Sequence, residues 1–166
     1  MNTKQWMIVA AVAVVLGLTS ACTIEISRND NGSLSVESVM SEESLESELA
    51  TVFDDDRFED VAVELGSGRI SITAQRQRSG TDAIDELSLR LELGVSGGQL
   101  TATINDAEIN GAPIADARVE TWNVQIADRL TRAAQRHPYS TLETVSVTNN
   151  GVIMRWHVET RRSREA

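Results

Sequence analysis

Apolar and polar positions along this chain switch between two periods, and the switches mark its elements. "TIEIS" and "SLSVESV" alternate on either side of "RNDNG", a turn composition, and predict a short hairpin. "SEESLESELATVF" changes period. Leu45, Leu49, Val52 and Phe53 recur at i, i+4, i+7 and i+8, one face of a helix. Ser41 suits its N-cap, and Glu42 and Glu43 suit the positive end of its dipole. "VAVEL" and "RISITAQ" then alternate around "GSG", a second hairpin. "ELSLRLELGVS" is the most regular stretch. Leu87, Leu89, Leu91, Leu93 and Val95 share one strand face, opposite Ser88, Arg90 and Glu92. "GG" turns the chain into "QLTATINDAEI", with Leu100, Ala102 and Ile104 inward.

Pro113 and Pro138, the only prolines, bracket a segment in which Val119, Trp122, Ile126, Leu130 and Ala133 fall at helical spacing. Proline suits a helix start and stops a helix at its end. The spacing predicts a helix of roughly 20 residues, about 30 Å long. "LETVSVT", "NNG" and "VIMRWHVET" close the chain as a hairpin, with Val152, Met154, Trp156 and Val158 on one face. The expected fold class is α+β: an antiparallel sheet packed on one long helix and a shorter N-terminal helix. The leucine ladder, the Trp122–Leu130 helix face and the Met154–Trp156 strand face must be covered. They can meet each other as a closed core, or leave an apolar groove along the long helix. Binding pockets are themselves mostly apolar, so the pattern leaves both arrangements open.

The N-terminus has a different organisation. Lys4 precedes an apolar run from Trp6 to Leu18 and then small residues Thr19, Ser20 and Ala21. This is the layout of an export signal, and it is shorter than the ~20 apolar residues a spanning helix needs. Cys22, the only cysteine, follows directly. "LTSAC" resembles the lipobox of bacterial lipoproteins, with Thr19 three before the cysteine and Leu18 one step early. The resemblance implies cleavage after residue 21 and a diacylglycerol thioether on Cys22. Two acyl chains anchor stably where one does not. Residues 1–21 are thus expected to be a lipoprotein signal peptide, and 22–166 one domain with a short basic tail. The location implied is the extracytoplasmic face of a membrane. Thr23 stands where lipoproteins kept in an inner membrane carry Asp, which favours an outer membrane where there are two.

Charge narrows the partners. The chain has 25 Asp and Glu against 15 Lys and Arg, a net charge of −10. Such a balance speaks against nucleic acid and against adhesion to anionic lipid. Glu42, Glu43, Glu46 and Glu48 make the first helix an acidic face. With one cysteine there is no disulfide framework and no Cys-x-x-Cys metal site. His137 sits beside Pro138 at a helix end, and His157 on the wet face of the last strand. Asp54, Asp55, Asp56, Glu59 and Asp60 could attract a hard cation, but lack the spacing and central glycine of an EF-hand; they read as a solvated helix end. No hydrolase, zinc-protease, P-loop or dinucleotide fingerprint is present. No metal, cofactor or catalytic residue is expected.

The element order and several phrases, "SEESLESELA", "GQLTATINDAEINGAPI", "WNVQIADRL" and "LETVSVTNNGVIMRW", are similar to small exported lipid-binding proteins of the tubular lipid-binding (TULIP) superfamily. The resemblance covers roughly residues 34–160. It implies a curved sheet wrapped around a long helix, with acyl chains in the seam between them. The leading expectation is an anchored envelope lipoprotein that binds or shuttles lipid or another apolar ligand, without catalysis. The candidate lining is Leu87, Leu89, Leu91, Leu93, Leu100, Trp122, Ile126, Leu130, Met154 and Trp156. The alternative is an envelope scaffold with a closed core that meets protein partners through its acidic face.

Overall fold

The computed structural model describes residues 23–29 and 33–159. The expected signal segment, Cys22 and the arginine tail lie outside them. Strand β1 (Thr23–Arg28) pairs antiparallel with β2 (Leu34–Met40). Helix α1 (Glu42–Asp54) follows, and its N-cap Ser41 accepts the Ser44 N–H at 3.2 Å. Four strands then run as a meander: β3 (Glu59–Gly66), β4 (Arg69–Gln77), β5 (Ile84–Ser96) and β6 (Gln99–Ile109). A two-residue strand, β7 (Ala112–Pro113), folds back on the end of β6 through an Asn110–Gly111 turn. Both turn residues have positive φ, 53° and 76°, as a tight hairpin turn of this type requires. Helix α2 (Asp116–Ala134) comes next, 19 residues or about 28 Å long. Strands β8 (Ser140–Thr148) and β9 (Gly151–Val158) close the fold.

The mixed α+β class and the antiparallel pairing follow the sequence pattern. The strands form two sheets, however, rather than a single curved one. One has the order β1-β2-β9-β8, the other β3-β4-β5-β6-β7. The last strand therefore sits beside the N-terminal hairpin, with Val36 opposite Trp156 and Ser38 opposite Met154. Among the described residues, two backbone hydrogen bonds join the sheets: Leu142 N–H to the Gly98 carbonyl at 2.9 Å, and Gly68 N–H to the Val147 carbonyl at 3.0 Å.

Both sheets and both helices feed one contiguous core. Sheet alternation delivers Ile70, Ile72, Leu87, Leu89 and Leu91 from one side, and Val152, Met154, Trp156 and Val158 from the other. The stripe of α2 adds Trp122, Ile126, Leu130 and Ala134. Helix α1 adds Leu45, Leu49, Val52 and Phe53, so the core is built around two helices, not one. Arg129 Nε donates to Glu48 Oε2 at 2.6 Å and ties the helices on their outer side. Among the described residues no helix is long and apolar enough to cross a membrane.

Candidate functional site

The ten residues expected to line an apolar seam all lie in or against this core. Leu91, Ile126, Leu130 and Met154 are fully buried. Leu87, Leu89, Leu100, Trp122 and Trp156 are exposed by 5 % or less, and Leu93 is half-buried against the same cluster. Both indoles are held at their polar ends as well. Trp122 packs edge-on against Phe53 at 5.2 Å and Phe58 at 6.5 Å between ring centroids. Its Nε1–H donates to Asp56 Oδ2 at 2.9 Å. Trp156 Nε1–H donates to the buried Ser38 hydroxyl at 3.1 Å. A buried indole N–H needs such a partner, and these bonds hold both rings in place.

A groove of about 790 Å³ lies between β6 and α2. Leu100, Ala102 and Trp156 reach it from the sheet side, and Val124 and Ala127 from the helix. Polar side chains share the lining: Thr101, Thr103, Asn123, Thr131 and Gln135, with Glu120 and Asp128 as the charged members. Only Leu100 and Trp156 of the ten candidates border it. The cleft suits a polar or amphipathic guest better than a hydrocarbon chain, which wants a dry apolar wall.

A second polar constellation was not foreseen. Asp85, the second residue of β5, shares the inward parity of Leu87 and Leu89 and is only 5 % exposed. Its Oδ1 accepts from Arg78 Nη2 at 2.6 Å and from Asn110 Nδ2 at 2.8 Å. Its Oδ2 accepts from Arg76 Nη2 at 2.9 Å. The Arg78 guanidinium, then Arg76 and the Asn110 amide, hold the Asp85 carboxyl far below the usual carboxylate range. Arg76 also lies over the Phe58 ring, 4.7 Å from its centroid. Arg76 and Asp85 are direct cross-strand partners in the β4–β5 register. Extending the leucine ladder one step toward the N-terminus would have placed a carboxylate inside. In this cluster one carboxylate is shared by two guanidiniums and an amide.

The remaining candidates are spread over the surface. Asp56 serves Trp122 and pairs with Arg118 at 3.3 Å, and so leaves the acidic run that follows α1. Glu42 Oε2 accepts the Leu65 N–H at 3.2 Å, and Glu48 is taken by Arg129. Of the acidic α1 face, Glu43 is exposed and Glu46 half-buried. His157 Nδ1 stands 3.6 Å from Glu143 Oε1, and His137 Nδ1 accepts the Tyr139 N–H at 3.3 Å. Comparison with protein-family models, curated proteins and solved structures finds no match for this chain.

Proposed function

We propose that this chain is a lipid-anchored envelope lipoprotein whose domain works by contacting other proteins at its surface, without catalysis. The observation that carries the reading is the filled seam. The side chains that would have lined an acyl tunnel pack on one another, with both indoles bonded at their polar ends. A carrier of this architecture would have its curved sheet open a continuous apolar lumen around the long helix. Here α1 and Trp122 occupy that space. The short reach from Cys22 to Thr23, the first residue of β1, would hold the domain close to the bilayer. The β6–α2 groove would then be presented to other envelope proteins.

The anchor and the surface are tested separately. Cys22→Ala should release the chain from membranes; a variant that still sediments with them contradicts the lipid anchor. A photocrosslinking side chain at Val124, which is 62 % exposed at the groove, should form defined protein adducts in intact cells. One at Ile84, which is also well exposed, should not. Adducts confined to lipid, or equal at both sites, contradict the protein-contact reading.

A further inference from the structure

The groove contains an unfinished sheet edge. In an antiparallel pair, every second residue turns its N–H and C=O away from its neighbour. From Gln99 to Asn105, β6 pairs with β5 in unbroken register. Ile104 N–H leaves the pair to reach Asn123 Oδ1 at 2.8 Å, and the Gly98 carbonyl leaves it to accept from Leu142. Gly98, Leu100, Ala102 and Ile104 therefore all present their main chain to the α2 side. The two ends of this row are satisfied. Leu142 serves one end, Asn123 the other, and β7 continues the pairing at Glu108 and Ile109. Between them, the N–H and C=O groups of Leu100 and Ala102 have no partner among the described residues. The Ser140 carbonyl, two residues before Leu142 on β8, accepts from Gln135 Nε2.

An open edge is a template for another strand. The charge around it selects among strands. Glu120 and Asp128 are the charged residues lining the groove, and no Lys or Arg lines it. Asp128 is paired to Arg132, and Glu120 is exposed. We infer that the β6 edge is a docking site for an extended, arginine- or lysine-bearing segment of a partner protein. That segment adds as a strand beside Leu100–Ile104, with its main chain on the Leu100 and Ala102 groups and a cation near Glu120. The inference rests on the reading of the domain as a protein-contact module, and it specifies the mode of contact.

The probe is a synthetic hexapeptide of alternating valine and arginine, added to the unlipidated chain of residues 23–166. This segment contains both sheets, both helices and the whole core. Residue-resolved amide exchange by NMR should show the Leu100 and Ala102 amides slowing at least tenfold on addition. A valine–glutamate hexapeptide should bind at least tenfold more weakly. Ala102→Pro removes the outward-facing donor, at a position where an edge strand tolerates proline, and should weaken binding at least tenfold while the amide spectrum shows the fold retained. Glu120→Arg, remote from the sheet ladder, should do the same without affecting the fold.

Binding that leaves those two amides unprotected overturns the inference, as does equal binding of both peptides. So does protection already present in the free chain that vanishes on dilution, which would mean a second copy occupies the edge. Protection that vanishes on deletion of residues 160–166 would mean that the chain's own tail does. The broader reading fails on a different result, stoichiometric lipid in the purified domain, which would leave the peptide data standing.

Discussion

Truncating Leu130 and Leu91 separates a closed core from a ligand seam. Leu130 lies on the buried stripe of α2, and Leu91 sits between Ile70 and Ile104 on adjacent strands; both are fully buried. Leucine to alanine removes three carbon groups, a transfer loss of roughly 2.4 kcal/mol at about 0.8 kcal/mol each. In a packed core the vacated space adds a cavity term that brings the total to about 3–5 kcal/mol. Beside an open seam that second term is absent, since a lumen already exists, and the loss stays near or below the transfer value. Leu130→Ala and Leu91→Ala should each lower the stability from urea unfolding by about 3–5 kcal/mol, with an unchanged denaturant slope. In a chain of this size that corresponds to a fall in melting temperature on the order of 10 °C. Losses at or below the transfer value of about 2.4 kcal/mol at both sites, with the fold retained, would refute the packed-core reasoning.

Other outcomes follow from single contacts. A Cβ on Gly151 would stand 2.6 Å from the Met40 carbonyl oxygen, a backbone atom that cannot swing aside. Gly151→Ala should therefore cost roughly 1–3 kcal/mol in urea unfolding, and a neutral result would show that the β2–β9 contact is looser than described. The depressed Asp85 carboxyl stabilises the fold above its unfolded value, near 3.9, and that contribution fades as pH falls through this value toward the folded one. Asp85→Asn should thus unfold at lower urea than the parent at pH 7, with the gap narrowing by pH 3; a constant gap contradicts the role given to Arg76 and Arg78. Arg129→Gln breaks a half-exposed pair with Glu48, so its effect on stability should stay within about 1 kcal/mol. A larger loss would mean that the pair positions α1 on α2.

Local structure was legible where one residue type has one reason to be present. "GG", "NNG" and "RNDNG" announced hairpins, and all three connect paired strands. The spacing of Trp122, Ile126 and Leu130 announced α2, and these residues are its buried face. The division into two sheets was not legible. Alternation tells which side chains point inward, but not which strand lies alongside, and β2 and β9 pair across more than a hundred residues. Two helical stripes of similar strength likewise do not reveal whether a sheet encloses one helix or both. Asp85 was hidden because the apolar ladder was read from Leu87 onward, although the parity runs one step further. The open edge at Leu100 and Ala102 has no signal in side-chain pattern, since it is a property of the main chain and of Asn123 and Gln135 reaching past it.

The central claim is that this domain carries nothing inside it. Native mass spectrometry of residues 23–166 purified from cells, followed by organic extraction, tests it directly. The account predicts the mass of the bare polypeptide and no lipid in the extract above background. One acyl lipid per chain, retained through purification and lost when Leu130 is changed to tryptophan, would contradict it.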